Sequence, residues 1–182
     1  MSKNKLVMYF FVGSESFFFL GLIISYLYLN RAGGPIQFTQ QYLNITRALI
    51  FSVILWISSL TIYISVRKLK KGKRKSAIVW LLITIALGSA FIVEQVMEYF
   101  DLLQLNINIG LNVFGSAFYA VTGFDGLHVF VGLIILLLFV RFLSVNYFKS
   151  KETDAYSAIS IYWYFVSVLW FVIYGVVYLK IP

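Results

Sequence analysis

The stretch GFDGLHVF, residues 123–130, places an aspartate and the only histidine of a 182-residue chain inside a long apolar run. Asp125 and His128 are three residues apart, so a helix would set them about one turn apart. A carboxyl group and an imidazole can exchange protons, bind a metal ion or form a hydrogen-bonded pair that fixes packing. Because ionisable groups are costly in hydrocarbon, this pair predicts a node of function or assembly.

Other acidic residues extend this set into the remaining apolar segments. Four of the seven acidic residues fall inside predicted membrane spans, and these are Glu15, Glu94, Glu98 and Asp125. Glu15, Asp125 and Ser167 each lie near the middle of a span, and His128 lies one turn from Asp125. We therefore expect a buried polar cluster of Glu15, Asp125, His128 and Ser167 that joins three helices.

The chemistry of this cluster has two interpretations. Two carboxyl groups in one dry site do not both ionise, so they share a proton or His128 holds a positive charge between them. The cluster is then either a hydrogen-bonded knot that fixes helix packing or a site that exchanges protons. The sequence alone leaves both open.

Two further sets of residues predict contacts between helices. Gln95, Glu94 and Glu98 lie within about one turn on the third span, and we interpret them as a polar inter-helix face rather than an ion site. Small residues on the fourth span allow neighbouring backbones to approach closely. The close-packing positions are Gly115, Gly123 and Gly126.

The composition excludes several classes of function. The chain has no cysteine, which excludes thiolate metal sites, iron–sulfur clusters and c-type haem attachment. With one histidine it cannot supply both axial ligands of a bis-histidine haem. The net charge of +8 does not indicate nucleic acid, because the basic residues lie between apolar spans rather than on one folded surface. We expect no metal, no cofactor and no catalytic residue in this chain.

The elements that must position these residues are membrane-spanning helices. Hydrophobic residues make up 61% of the chain and charged residues only 12%. Spans without water must be helices, because lipid offers no partners to the backbone amides. We predict an all-α polytopic membrane protein, a single domain over residues 1–182. Its five transmembrane helices are expected at about 6–29, 46–66, 77–100, 113–141 and 157–180.

The basic residues predict the orientation of this bundle. Seven of them lie in the short loop 67–75, and placing that loop in the cytoplasm puts twelve of the fifteen Lys and Arg residues inside. The N-terminus is then inside and the C-terminus outside. The inner interface receives Lys149, Lys151, Trp80, Tyr156, Tyr162 and Trp163, and the outer one receives Arg47, Lys180, Tyr28, Tyr99 and Tyr178.

Four segments carry a resemblance to a known family. SESFFF (14–19), LGSAFIVEQVMEY (87–99), GSAFYAVTGFDGLHVFVG (115–132) and YWYFVSVLWFVIY (162–174) follow in the family's order. Together they resemble subunit III of the haem-copper respiratory oxidases, the cytochrome c and quinol oxidases, in a five-helix form. The resemblance covers all five predicted helices.

This resemblance implies a non-catalytic subunit of a proton-translocating terminal oxidase of the aerobic respiratory chain. Such a subunit packs mainly on subunit I, with subunit II and other small subunits nearby. It binds phospholipid and supports proton uptake and stability, while haem and copper belong to the partner subunits. The resemblance also implies a bacterial or archaeal plasma membrane.

Three positions depart from the family pattern. Asp125 stands where the family has histidine, Tyr164 replaces another histidine, and Ser167 replaces an aspartate. The polar roles of the family are therefore not carried to these positions. They are carried to the positions that match, which are Glu15, Gln95, Glu98 and His128.

Two other functions are open at this point. The departures fit a divergent branch such as an accessory subunit of a nitric oxide reductase, which would share the fold and differ in partner. A small membrane transporter or proton channel could use Glu15, Asp125 and His128 as a relay. A transporter would favour broken helices and internal repeats, and neither is evident in the sequence.

Overall fold

The computed structural model describes residues 3–31, 43–107, 109, 113–145 and 152–179. Over these residues the regular structure is helical, with no strand. The helices are α1 Lys3–Arg31, α2 Ile45–Lys70, α3 Arg74–Gln104, α4 Val113–Ser144 and α5 Glu152–Val177. All five are long and apolar enough to cross a membrane, which confirms the predicted fold class.

The observed helices extend past most of the predicted spans. α2 continues to Lys70 and α3 begins at Arg74, so the basic segment after the second span is itself largely helical. Hydropathy marks the stretch that lies in hydrocarbon, whereas lysine and arginine are good helix formers and continue the helix beyond it. The predicted end of the last helix at residue 180, and Lys149 and Lys151, lie outside the described residues. The orientation across the membrane stays a prediction.

A tight turn joins α2 and α3 into an antiparallel hairpin. Gly72 has φ of +70°, a left-handed conformation that costs glycine little. The amide of Gly72 donates to the carbonyl of Leu69 at 2.9 Å, and that of Lys73 donates to Lys68 at 3.0 Å. These bonds satisfy carbonyls at the end of α2 and let the chain reverse within three residues.

The helices are unequally covered within the chain. Over the described residues α5 packs against α1, α2 and α4, whereas α1 packs mainly against α4 and α5. Half of the most apolar stretch of α5 is buried (50%), against 11% for α1. α5 is therefore the centre of the bundle, and α1 is attached to its outside.

Three serine hydroxyls of α2 accept hydrogen bonds from aromatic side chains of α5, at three positions along the helices. The pairs are Trp170 Nε1–Ser52 Oγ at 2.8 Å, Trp163 Nε1–Ser58 Oγ at 2.9 Å and Tyr156 OH–Ser65 Oγ at 2.7 Å. The donors are spaced by seven residues, which is two helical turns, so they share one face of α5. Each serine hydroxyl in turn donates a hydrogen bond to a backbone carbonyl, so no polar atom of these pairs is left without a partner.

The indole of Trp163 lies in a slot made by two glycines. A Cβ at Gly88 of α3 would lie 2.8 Å from the indole, and one at Gly132 of α4 would lie 2.9 Å from it. The absence of side chains there lets a fully buried tryptophan connect α2, α3, α4 and α5.

We predict that Gly88→Ala destabilises the bundle, because the added methyl would overlap a rigid ring that has no free space to move into. Overpacking of this kind costs about 1 to 3 kcal/mol. The matched control is Gly21→Ala on α1, where a Cβ would meet nothing within 4 Å. Thermal unfolding of the purified protein should show a lower midpoint for Gly88→Ala alone; equal midpoints for the two variants would contradict the packing described here.

Candidate functional site

Glu15 and His128 form a contact between α1 and α4. The distance from Nε2 of His128 to Oε2 of Glu15 is 3.2 Å. The other ring nitrogen, Nδ1, lies 2.7 Å from the carbonyl oxygen of Phe124. A carbonyl only accepts, so Nδ1 carries a hydrogen and donates it. The contact with Glu15 therefore holds one shared proton, either on the carboxyl group or on Nε2 of an imidazolium.

This pair lies at the edge of the bundle rather than in its core. The side chain of His128 is 15% exposed and that of Glu15 is 23% exposed. The fully buried ring of Phe19 packs edge-on against the imidazole, with centroids 5.1 Å apart. One side of the pair is thus closed by an aromatic ring, and the other is open at the outer face of α1 and α4.

Asp125 is buried one helical turn from His128. It is 0% exposed, and neither of its carboxyl oxygens has a hydrogen-bond partner among the described residues. The amide of Gln95, which lies against the adjacent Gly126, donates instead to the carbonyl of Thr122 at 2.8 Å. Asp125 is an acid held in the bundle without a polar contact in the part of the chain that the structure describes.

Ser167 takes part in a different contact. Its hydroxyl donates to the carbonyl of Trp163 at 2.9 Å and accepts from Ser59 of α2 at 2.7 Å. The structure therefore brings Glu15 and His128 together, places Asp125 one turn away, and turns Ser167 towards α2.

Tyr162 is the residue of this region that the sequence did not single out. Its hydroxyl donates to the backbone carbonyl of His128 at 2.9 Å, although its position suggested an interfacial belt. A Cβ at Gly132 would lie 3.1 Å from the Tyr162 ring. A glycine one turn after the only histidine was the available signal, because it leaves room for a large side chain from a neighbouring helix.

The predicted polar face of α3 connects to three other parts of the chain. Glu94 accepts from Nε of Arg47 on α2 at 2.8 Å, and Gln95 bonds to α4 as described. Glu98 accepts from the hydroxyl of Tyr178, just after α5, at 2.6 Å. The face is therefore a junction between helices at one end of the bundle.

Arg47 is the cation of this junction. Besides Glu94, it binds Asp101 through Nη2 at 2.9 Å. The sequence identified Arg47 only as one of few basic residues on the predicted outer side. Its pairing across about fifty residues could not be derived from that count.

The glycines of α4 have unequal surroundings. A Cβ at Gly126 would overlap the side-chain carbonyl of Gln95, so any larger residue there would displace that amide. At Gly123 an added Cβ would lie 3.6 Å from the hydroxyl of Tyr99, an ordinary contact. Gly115 is buried.

The described residues contain no group of three or more His, Asp or Glu side chains that could hold a metal ion. The polar groups they do contain can share protons, pair charges and fix helices to one another. The arrangement is suited to assembly and to proton exchange at the Glu15–His128 contact.

Comparison with known proteins identifies the family to which the chain belongs. The profile of the family described as "Cytochrome c oxidase subunit III" matches residues 2–180. The chain belongs to the cytochrome c oxidase subunit III family. It is 33% identical to cytochrome c oxidase subunit 3 of Corynebacterium diphtheriae, an alignment that covers 92% of this chain and 83% of that one. It is also 33% identical to the protein of that name from Thermostichus vulcanus, over 93% and 83% of the two chains.

Membership of this family fixes the broad class of function. The chain is a subunit of a multi-subunit respiratory complex. Its five apolar helices and its bacterial relatives make it an integral protein of the bacterial plasma membrane. Two of the segments that carry the resemblance, 14–19 and 115–132, meet in space at the Glu15–His128 contact.

We predict that Arg47→Gln destabilises the junction, because Glu94 is only 5% exposed and would keep a buried charge without its cation. Removing one partner of a buried ion pair costs about 3 to 5 kcal/mol. Since 34% of the Arg47 side chain is exposed, solvent screening lowers the expected loss to about 1 to 3 kcal/mol.

Two controls make this measurement specific. Asp101→Asn removes the other ion pair, but its side chain is 57% exposed and little stability should be lost. Adding Glu94→Gln to Arg47→Gln removes the unpaired charge and should restore part of the thermal midpoint. If the double variant is no more stable than Arg47→Gln, the contact with Glu94 is not what stabilises this end.

Proposed function

We propose that the chain is the non-catalytic subunit III of a proton-translocating haem-copper terminal oxidase. In this role it packs mainly on subunit I, near subunit II and other small subunits. It binds phospholipid and supports proton uptake and the durability of the complex. The electron-carrying haem and copper centres belong to the partner subunits, since one histidine and no cysteine leave this chain few ligands for them.

The observation that carries this proposal is the match of the family profile over residues 2–180. The Glu15–His128 contact supports it independently, because the two residues are far apart in sequence and come from two of the matching segments. A pair that holds one shared proton near the middle of a membrane span is suited to proton exchange with a neighbouring subunit.

The exposed face of α1 supports packing on a larger partner. Phe10 and Phe17 are 73% and 78% exposed and lie seven residues apart, on one face of the helix. The exposed side of the Glu15–His128 contact is also at α1, at a depth that lipid headgroups do not reach. A polar pair there needs cover, and a partner polypeptide provides both apolar contact and polar groups.

A groove between α2 and α5 supports the binding of phospholipid. It has a volume of about 480 Å³, and most of its lining is apolar, including Val53, Trp56, Leu60 and Val168. Its hydroxyl groups have partners within the protein, since Ser59 donates to Ser167 and Tyr164 is hydrogen-bonded with Ser160. The groove lies near the middle of both helices, so a lipid acyl chain is the occupant that fits it.

The other two functions receive no comparable support. All five helices are continuous over their described lengths, unlike the broken helices that favour a transporter. A nitric oxide reductase accessory subunit would share the fold, but the relatives reported above are named as subunits of cytochrome c oxidase.

We predict that the affinity-tagged chain, purified from its native membranes in mild detergent, carries a haem protein with it. The absorption spectrum of the eluate should show haem, and the eluate should consume oxygen when a reduced donor is supplied. Recovery with a nitric oxide reductase that does not reduce oxygen would contradict the proposal, as would a haem-free eluate.

Two double variants test whether the exposed face of α1 contacts the haem protein. Phe10→Ala with Phe17→Ala removes large side chains from the exposed face of α1 and should lower the haem recovered per tagged chain. The matched control is Val79→Ala with Leu82→Ala, which removes exposed apolar side chains from α3. Equal losses in both pairs would indicate a general effect on insertion.

We predict that Leu60→Trp lowers the ratio of phospholipid to protein in the purified complex, because the larger ring enters the groove between α2 and α5. Leu82→Trp is the matched control, since Leu82 is similarly apolar and exposed but lies on α3 outside the groove. Lipid extraction followed by mass spectrometry measures the ratio. An unchanged ratio for Leu60→Trp would show that the groove holds no tightly bound lipid.

A further inference from the structure

Asp125 is the buried acid that the contacts described above leave unexplained. It is fully buried, and both carboxyl oxygens lack a hydrogen-bond partner among the described residues. A carboxylate anion in such a place would lose its hydration without compensation, which is among the most costly states a side chain can adopt. The neutral acid avoids most of that cost.

The helices packed against α4 supply no cation to offset a charge on Asp125. The ion pairs of the described residues involve Arg47 and His128, and neither has Asp125 as its partner. The titratable groups that face this region come from all three packed helices. Tyr99 of α3 and Tyr162 of α5 are within electrostatic reach of Asp125, and Glu15 of α1 is within reach of Tyr162. Glu15 also contacts His128, which lies one turn from Asp125 on α4.

Tyr162 connects the surroundings of the two carboxyl groups. Its phenol is within electrostatic reach of both Asp125 and Glu15, and its hydroxyl is 2.9 Å from the carbonyl oxygen of His128. A phenol both donates and accepts hydrogen bonds, so this hydroxyl has the chemistry to receive a proton and pass one on. Tyr99 is also within electrostatic reach of Asp125, but its hydroxyl is shared with that of Thr122 at 2.8 Å and not with a residue of the Glu15–His128 pair.

We propose that Asp125 is an internal proton-holding site that exchanges its proton with the Glu15–His128 pair by way of Tyr162. Transfer breaks the O–H bond of Asp125 and forms an O–H or N–H bond on the pair. It leaves one negative charge on Asp125 and adds one positive charge to the pair, so the net charge of the cluster is unchanged. This inference rests on the proposed role in proton uptake and assigns a further residue to it.

The position explains why aspartate can stand where the resembling family has histidine. Histidine is neutral without the extra proton and charged with it, whereas aspartate is neutral only with it. In a buried position without a polar contact among the described residues, the neutral form is favoured, which for aspartate is the form with the proton and for histidine the form without the extra one. Aspartate in place of histidine therefore changes the number of protons that the cluster holds at rest.

Infrared spectroscopy tests the resting state. The tagged chain, purified with its bound partners, should show the carbonyl stretching band of a protonated carboxylic acid at neutral and mildly alkaline pH. Asp125→Asn should remove this band, and Glu15→Gln should leave it in place. If the asparagine variant does not assemble, Asp125→Glu assigns the band by shifting it. A band that neither substitution alters, or no band at all, overturns the inference.

Hydrogen–deuterium exchange tests the route. Transfer into D₂O should shift the Asp125 band with time, and Tyr162→Phe should slow that shift by roughly tenfold or more without weakening the band. Tyr174→Phe is the matched control, since Tyr174 lies on the same helix but bonds near the start of α2. Equal exchange rates in wild type and Tyr162→Phe would overturn the proposed route, and equal slowing in both variants would do the same.

These measurements separate the inference from the proposed function. An oxidase that assembles and turns over while lacking the Asp125 band leaves the proposed function standing and overturns the inference. A chain that shows the band and its Tyr162-dependent exchange, but recovers no haem protein, supports the proton-holding site and contradicts the oxidase subunit.

Discussion

The absence of hydrogen-bond partners in hydrocarbon is the constraint on which the structure depends. Every polar group inside the spans must find its partner on the protein. Backbone groups find it within their own helix, and several side chains find it across a helix interface. The aromatic donors of α5 meet serine hydroxyls of α2, and the hydroxyls of Thr61 and Thr84 are 2.7 Å apart between α2 and α3. These contacts fix how far each helix is rotated and shifted against its neighbour. Asp125 is conspicuous because it does not follow this rule within the described residues.

The unequal covering of the helices matches the role of a subunit. α5 is central and carries the largest buried side chain, Trp163, in a slot between two glycines. α1 is attached along one side and leaves large aromatic residues on its outer face. A chain that functioned alone would have little reason to place an acid–imidazole contact at its least covered helix. In a complex the same arrangement puts the contact where a neighbouring subunit can reach it.

The structure contains two separate polar regions with different roles. At one end of the bundle, Arg47 holds two acidic groups of α3, and Tyr178 binds a third, Glu98. These are fixed pairs that stabilise a junction of helices. Near the middle of the membrane, the contact of Glu15 with His128 holds a proton that can lie on either group, and Asp125 is one turn away. The first region stabilises the fold, and the second is the one to which we assign proton exchange.

The sequence by itself determined the number of helices, their approximate positions and the depth of each polar residue. Apolar segments of the right length can only be helices in a bilayer, and a rise of about 1.5 Å per residue converts position into depth. Depth put Glu15 and His128 at one level, and the structure brings them within 3.2 Å. Only the tertiary structure decided which neighbour each polar side chain faces. Ser167 has a similar depth but turns towards Ser59, Tyr162 reaches His128 from a position that suggested an interface, and Arg47 pairs with acids about fifty residues away. These spans have apolar residues both at buried and at exposed positions, so hydropathy says little about the rotation of each helix about its axis. The packing of side chains such as Trp163 against Gly88 settles that rotation.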